Sequence, residues 1–124
     1  MTVDELRQKN QEILDRFIHA GSASEERRAI WAEDAVFELP LQGKVFRGRE
    51  AILQRGRDMS KQLRRFTLTN LTFFPLLDPN MFLVTHGSEE EDVNGVVTKD
   101  RFAHIFTLRD GRVVRRVEFH SRKD

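Results

Sequence analysis

The chain has 124 residues, of which 39% are hydrophobic and 33% charged, and its formal net charge is +1. We expect one domain over residues 1–124, because this length suffices for one core. The near balance of acids and bases gives no reason to expect nucleic acid or an anionic membrane as partner. The absence of cysteine agrees with a reducing compartment, so we expect a cytoplasmic protein. No run approaches the roughly 18 apolar residues of a membrane span.

The first half of the chain is predicted to form three helices and two short strands. Apolar residues at helical spacing indicate the first helix, which Gly21 ends. Ser22 or Ser24 can cap the second helix. Gly56 interrupts the third, which indicates either a close approach of another backbone or a kink beside a cavity. The predicted helices cover 3–20, 24–32 and 48–62, and the strands cover 35–39 and 45–47.

The second half is predicted to form four long antiparallel strands. β-Branched and aromatic residues indicate strands over 65–77 and 81–89. An acidic, turn-rich loop is expected at 89–95. The final hairpin, 99–121, turns at Asp110-Gly111, because glycine accepts the left-handed angles of a tight turn. Helices separated from an antiparallel sheet define an α+β fold.

The last strand has two different faces, because side chains alternate along a strand. One face is predicted to carry Val114, Arg116, Glu118 and His120, and the other Val113, Arg115, Val117 and Phe119. A three-residue loop would place Phe102 opposite Glu118 and His104 opposite Arg116. A two-residue loop would place Ala103 and Ile105 there, so the register stays open.

A long curved sheet with helices across its concave face would form a cone with one open mouth, a natural small-molecule pocket. Ten phenylalanines and no tyrosine favour an apolar interior. The outer face of the sheet would be apolar. Because a second copy of the chain could cover that face, we expect a homodimer.

Glu118 is the first candidate for acid–base chemistry. A carboxylate inside a phenylalanine-lined cavity loses hydration, which raises its pKa towards neutrality. The alternative is an ion pair with Arg116 or Arg101.

His86, His104 and His120 lie on neighbouring strands, and we interpret them as wall residues of the pocket rather than metal ligands. Arg55 or Arg57 could hold an anionic ligand at the mouth. No nucleotide-binding glycine motif, P-loop or nucleophile elbow occurs, so we expect no cofactor and no serine hydrolysis.

Several phrases carry a family resemblance: WAEDAVFELP, FRGREAI and LRDGRVVRRVEF. Their order resembles the SnoaL-like branch of the nuclear transport factor 2-like superfamily. The runs ELRQKN, NLTFFPLLDPNMFLV and HIFTLRDGRVVRRVEF are most similar to phenazine biosynthesis A/B-type proteins. The resemblance implies a cone-shaped α+β fold of about six strands (cystatin-like), a homodimer, and an acid–base role for Glu118.

The chain also departs from these relatives. The phenazine proteins place a histidine on the third helix, where the nearest position here is Arg55. Ketosteroid isomerases of the superfamily use an Asp and a Tyr where Leu39 and Leu14 fall here.

The leading functional hypothesis is a cofactor-independent enzyme that isomerises, cyclises or condenses a small carbonyl compound. The alternative is a binding or accessory protein without turnover. The catalytic candidates are Glu118, His120 and His104. The candidates for contacting the small molecule are Arg116, His86, Trp31, Phe37, Leu39, Arg55, Met59, Phe82 and Phe102.

Overall fold

The computed structural model describes residues 1–121. It contains the helices α1 (Val3–His19), α2 (Glu25–Ile30) and α3 (Arg49–Ser60). The strands are β1 (Trp31–Leu39), β2 (Lys44–Arg47), β3 (Leu63–Pro75), β4 (Met81–Asp92), β5 (Val97–Arg109) and β6 (Arg112–His120). A 3-10 turn, Pro40–Gln42, joins β1 to β2. The predicted α+β class is confirmed, with three helices and one curved sheet.

The six strands form a single sheet in the order β2-β1-β6-β5-β4-β3. Four of the five pairings are antiparallel, but β1 runs parallel to β6. The expectation of an entirely antiparallel sheet is therefore wrong at this one contact. The chain between the two strands is long enough for the crossover that a parallel pair requires.

Helix α1 forms because Thr2 caps it with a reciprocal Thr2–Glu5 capping box, and its apolar stripe packs on the inner face of the sheet. Phe17 is fully buried, and its ring meets those of Trp31 and Phe106 edge-on at 5.1 and 5.6 Å. Ser24 caps α2. That helix ends before its predicted limit, because Trp31 already belongs to β1. No helix among residues 1–121 is long and apolar enough to cross a membrane.

The acidic stretch predicted as a solvated loop instead continues β4 to Asp92. Glu89, Glu90 and Glu91 each pair with residues of both β3 and β5. Arg65 and Arg64 lie 3.1 and 3.2 Å from the carboxylates of Glu89 and Glu91, which offsets the repulsion between the acids. The turn is confined to the residues that follow, and Gly95 adopts a positive φ there.

Neither register predicted for the last hairpin is correct. The turn has two residues, with Arg109 opposite Arg112, but the register shifts between Thr107 and Leu108. A bulge at Val114 therefore places His104 opposite Glu118 and Phe106 opposite Arg116. Val113, predicted to face outwards, is fully buried in the core on the inner face.

Gly56 marks a close approach of two backbones, as one of its two interpretations predicted. A Cβ atom at this position would lie 2.7 Å from the carbonyl oxygen of Ser22. The Ser22 hydroxyl donates to the carbonyl of Gly56 over 3.2 Å. This contact holds the segment after α1 against α3.

Candidate functional site

A cavity of about 710 Å³ opens between the helices and the inner face of the sheet. The end of α1, the segment after it, α2 and α3 form one side, and strands β3 to β6 form the other. Its polar and ionisable wall includes Arg27, Arg55, His86, Glu90, His104, Arg116 and Glu118. Its apolar wall includes Ile18, Met59, Leu63, Phe66, Leu68 and Phe102.

Glu118 is 3% exposed and lies at the sheet wall of this cavity. One carboxylate oxygen accepts from Nη2 of Arg116 over 3.0 Å, and the other accepts from Nδ1 of His120 over 2.8 Å. Burial alone would raise its pKa, as the sequence suggested. The hydrogen bond from His120 and the charge of Arg116 outweigh burial, so the pKa of Glu118 is far below its usual value. The expected raised pKa is therefore wrong, and Glu118 is ionised at neutral pH.

Arg116 is buried in a ring of phenylalanines. Its guanidinium lies 4.7, 5.5 and 5.7 Å from the ring centres of Phe37, Phe106 and Phe17. Burial lowers the pKa of Arg116, while the charge of Glu118 raises it. The ion pair left open by the sequence is thus formed with Arg116, whereas Arg101 is exposed.

His86 and His104 form a hydrogen-bonded pair, with their Nε2 atoms 2.9 Å apart. Nε of Arg116 donates to Nδ1 of His104 over 3.3 Å, so the proton of a neutral His104 lies on Nε2. His104 then donates to His86, and Nδ1 of His86 donates to the carbonyl oxygen of Gly87 over 3.0 Å. This assignment gives every ring nitrogen a compatible partner only when both rings are neutral.

The pKa values agree with two neutral rings. Burial, and then the charge of Arg116, lowers the pKa of His104 well below its usual value. Burial also lowers the pKa of His86. The 3.5 Å approach of His104 to Glu118 is therefore not an ion pair.

His120 lies behind Glu118 and does not line the cavity. Its Nδ1 donates to Glu118, and its Nε2 lies 3.0 Å from Nε2 of Gln42. The ring therefore holds the carboxylate in place from the far side. Within the described part of the chain, no three His, Cys, Asp or Glu side chains are grouped as metal ligands.

The cavity brings together seven of the candidates: Arg55, Met59, His86, Phe102, His104, Arg116 and Glu118. Trp31, Phe37, Leu39 and Phe82 lie instead in the core beneath it. Arg57 is exposed and hydrogen-bonds to Gln54. Of these four, Phe37 acts on the site indirectly, because its ring lies against the guanidinium of Arg116.

Several wall residues were not identified from the sequence, among them Arg27, Glu90 and Phe66. Arg27 lies in a charged run that is typical of a surface helix. Glu90 was assigned to a loop, although strict alternation from Phe82 through His86 would have directed it inwards. Phe66 is 46% exposed at the open side of the cavity.

Comparisons with known proteins agree with this architecture. A phenazine biosynthesis-related protein from Pseudomonas aeruginosa is 25% identical with a TM-score of 0.84, over 96% of this chain and 83% of that chain. A candidate isomerase from Bacillus subtilis is also 25% identical, with a TM-score of 0.77 over 98% of this chain and 90% of that one. A candidate polyketide cyclase from Xanthomonas campestris is 19% identical, with a TM-score of 0.82 over 92% of this chain and 91% of that one, and shares the fold.

A search of curated proteins found no match. The model of the SnoaL-like domain matches residues 12–116, a span that begins within α1 and reaches Arg116 in the last strand. The nuclear transport factor 2-like architecture and the match over most of the chain lead to one conclusion: this protein belongs to the SnoaL-like domain family.

Proposed function

We propose that this protein is a cofactor-independent enzyme that isomerises, cyclises or condenses a small, partly apolar carbonyl compound. The observation that supports this most directly is the position of Glu118. It is an ionised carboxylate at the wall of a 710 Å³ cavity, next to a buried guanidinium and opposite apolar side chains. A base beside a fixed cation is the arrangement that proton removal next to a carbonyl requires.

In the proposed reaction, Glu118 accepts a proton from the carbon adjacent to the substrate carbonyl. The electron pair of the broken C–H bond moves to the carbonyl oxygen and forms an enolate. Arg116 uses Nε and Nη2 for His104 and Glu118, so its Nη1 can donate to the enolate oxygen. In a β,γ-unsaturated carbonyl compound, Glu118 then returns the proton to the γ carbon while the C=O bond re-forms and the C=C bond shifts into conjugation with it. This completes an isomerisation without any external reactant.

His104 and His120 act in this scheme as positioning residues. His104 accepts from Arg116 and so fixes the plane of the guanidinium. His120 fixes the carboxylate of Glu118 from the opposite side. The B. subtilis neighbour is described as a candidate isomerase, which supports this class of reaction for the present chain.

A second candidate function is ligand binding without turnover. Both oxygens of Glu118 already accept hydrogen bonds, and the lowered pKa makes the carboxylate a weak base. A rigid polar wall of this kind can also serve only to orient a ligand.

Deuterium exchange separates the two functions. Wild-type protein in D₂O should accelerate exchange of the methyl protons of 4-acetylbenzamide, measured by NMR. Glu118→Gln should lower that rate about 100-fold or more, since general base catalysis typically contributes 10²–10⁴. Glu38→Gln is the matched control, because Glu38 pairs with Arg115 on the outer side of the same strands. If wild type and Glu118→Gln exchange at equal rates, the enzymatic proposal is wrong and the binding function replaces it.

We also propose a homodimer through the outer face of the sheet. One row of pairings crosses that face through Phe74, Leu83, Ile105 and Val117. Phe74 at its end is 45% exposed, so a second copy would cover apolar surface. Light scattering should give a dimer mass for wild type and a monomer mass for Ile105→Lys. A monomeric wild type would overturn the proposed assembly.

A further inference from the structure

The wall of the cavity carries an excess of positive charge. Among the described residues that line it, five are arginines and two are glutamates. Arg64 and Arg65 pair with Glu91 and Glu89 at the rim. Arg116 pairs with Glu118.

Arg27 is an arginine of the cavity wall with no hydrogen bond to a carboxylate in the described part of the chain. Its Nε donates to the carbonyl oxygen of Phe17 over 2.8 Å, and its Nη2 approaches that of Ile18 at 3.5 Å. The guanidinium also lies 4.5 Å from the centre of the Phe17 ring. These are the hydrogen bonds and the ring contact of its side chain within the described chain, and none of them is to a carboxylate.

The guanidinium of Arg27 is partly removed from water, because the residue is only half-exposed at the cavity wall. Burial, together with the nearby charge of Arg116, lowers the pKa of Arg27 to about 9, although the charge of Glu118 opposes this shift. The guanidinium remains protonated at neutral pH, yet its surroundings disfavour the charge. Glu118, a buried carboxylate of the same cavity, already accepts from Arg116 and His120. An anion that enters the cavity would give the guanidinium of Arg27 the hydrogen-bonded counter-charge that no side chain of the described chain provides.

We propose that the cavity takes a small aromatic or aliphatic carboxylate, and that Arg27 binds its carboxylate group. This inference rests on the proposed function and narrows its substrate class. Nη1 of Arg27 is not used by the backbone contacts and can donate to one carboxylate oxygen. Met59, Leu63 and Phe66 would contact the apolar part of the ligand. Arg55 of α3 and Glu90 of β4 also line the cavity.

Anion binding has a chemical consequence for Glu118. The charge of Arg116 is one cause of the low pKa of Glu118, and Arg55 also contributes. A bound carboxylate would offset that positive field. Glu118 would then become more basic when the substrate is present, which suits a group that must remove a proton.

The test compares 4-acetylbenzoate with the neutral 4-acetylbenzamide by isothermal titration calorimetry. Wild type should bind the carboxylate at least about tenfold more tightly, because charge-assisted hydrogen bonds are the stronger class. Arg27→Gln should remove that preference, chiefly by lowering the affinity for the carboxylate. The matched control is Arg28→Gln on the same helix, because Arg28 pairs with Glu50 outside the cavity.

Arg27→Lys is a second variant that keeps the test valid if Arg27→Gln fails to fold. It retains the positive charge but lacks the planar guanidinium. It should keep a reduced preference that disappears as salt is raised. Equal affinity of wild type for the two compounds, or full preference in either Arg27 variant, would overturn the inference. Deuterium exchange reports separately on the proposed function. Exchange without carboxylate preference refutes only the role of Arg27, and preference without exchange refutes only catalysis.

Discussion

Removing the charge of Glu118 should be far more costly than removing any exposed carboxylate of this protein. Glu118→Gln keeps the shape of the side chain but leaves Arg116, which is 8% exposed, without its counter-charge. Breaking a buried ion pair by neutralising one partner costs about 3–5 kcal/mol. The amide oxygen of Gln can still accept one hydrogen bond. We therefore expect the free energy of unfolding of this variant to be about 3 kcal/mol lower than that of wild type.

A double-mutant cycle identifies the source of that cost. Arg116→Met places an apolar side chain among the same phenylalanine rings, so the double variant contains neither buried charge. It should be more stable than the sum of the two single variants predicts, by about 2 kcal/mol or more. The exposed pair Arg115–Glu38, with 56% and 26% exposed side chains, provides the control cycle. Its coupling should be about 0.2–1 kcal/mol.

Urea unfolding followed by tryptophan fluorescence measures these differences. Trp31 is the single tryptophan and is 1% exposed against Phe17, so its emission reports on the core. A cost for Glu118→Gln no larger than that of Arg115→Gln would refute the reasoning. Such a result would mean that water reaches Arg116 and replaces the carboxylate.

The remaining predictions concern packing and pH. Gly56→Ala should destabilise the protein by about 1–3 kcal/mol despite a better helix propensity, because its Cβ meets the Ser22 carbonyl at 2.7 Å; a gain in melting temperature would contradict the contact. Asn10→Ala should cost about 1–3 kcal/mol in urea unfolding, because the buried amide donates to Pro79 and Asn80 at 3.0 Å; an unchanged midpoint would contradict it. Burial depresses the pKa of both His86 and His104. Below pH 6.5, about the pKa of histidine in the unfolded chain, the unfolded state therefore binds more protons than the folded state. Stability should fall as the pH drops from 6.5, by at most about 1.4 kcal/mol per pH unit for each histidine. His104→Asn should show a shallower slope between pH 6.5 and 5.5, and an unchanged slope would indicate that the ring is already protonated.

Local patterns in the sequence were sufficient for most elements of the fold. The i, i+3/i+4 stripe of α1 and the alternation of Phe82, Val84 and His86 are direct consequences of helix and strand geometry. The parallel contact of β1 with β6 could not be predicted in the same way, because the two strands are far apart in sequence. The sequences of the short strands β1 and β2 also do not show which edge of the sheet these strands join.

The register of the last hairpin was missed for a local reason. The doublets Val113-Val114 and Arg115-Arg116 break the alternation that both proposed registers assumed. A bulge at Val114 accounts for both doublets, since it brings Val113 and Arg116 to the same face. Such doublets are a usable signal when they follow a tight turn.

The electrostatics of the site follow from neighbours that no single strand reveals. Phe37 of β1 and Phe106 of β5 flank Arg116 in the sheet, and the rings attract its cation without neutralising it. The adjacent row of the sheet places Glu118 beside His104. The carboxylate of Glu118 therefore neutralises the charge of Arg116, which the phenylalanine rings shield from water. Glu118 therefore already accepts hydrogen bonds from two side chains at the wall of the cavity, whereas Arg27, which lines the same cavity, has no hydrogen bond to a carboxylate. In the proposed carboxylate complex, this difference between Glu118 and Arg27 is what would favour a negatively charged ligand.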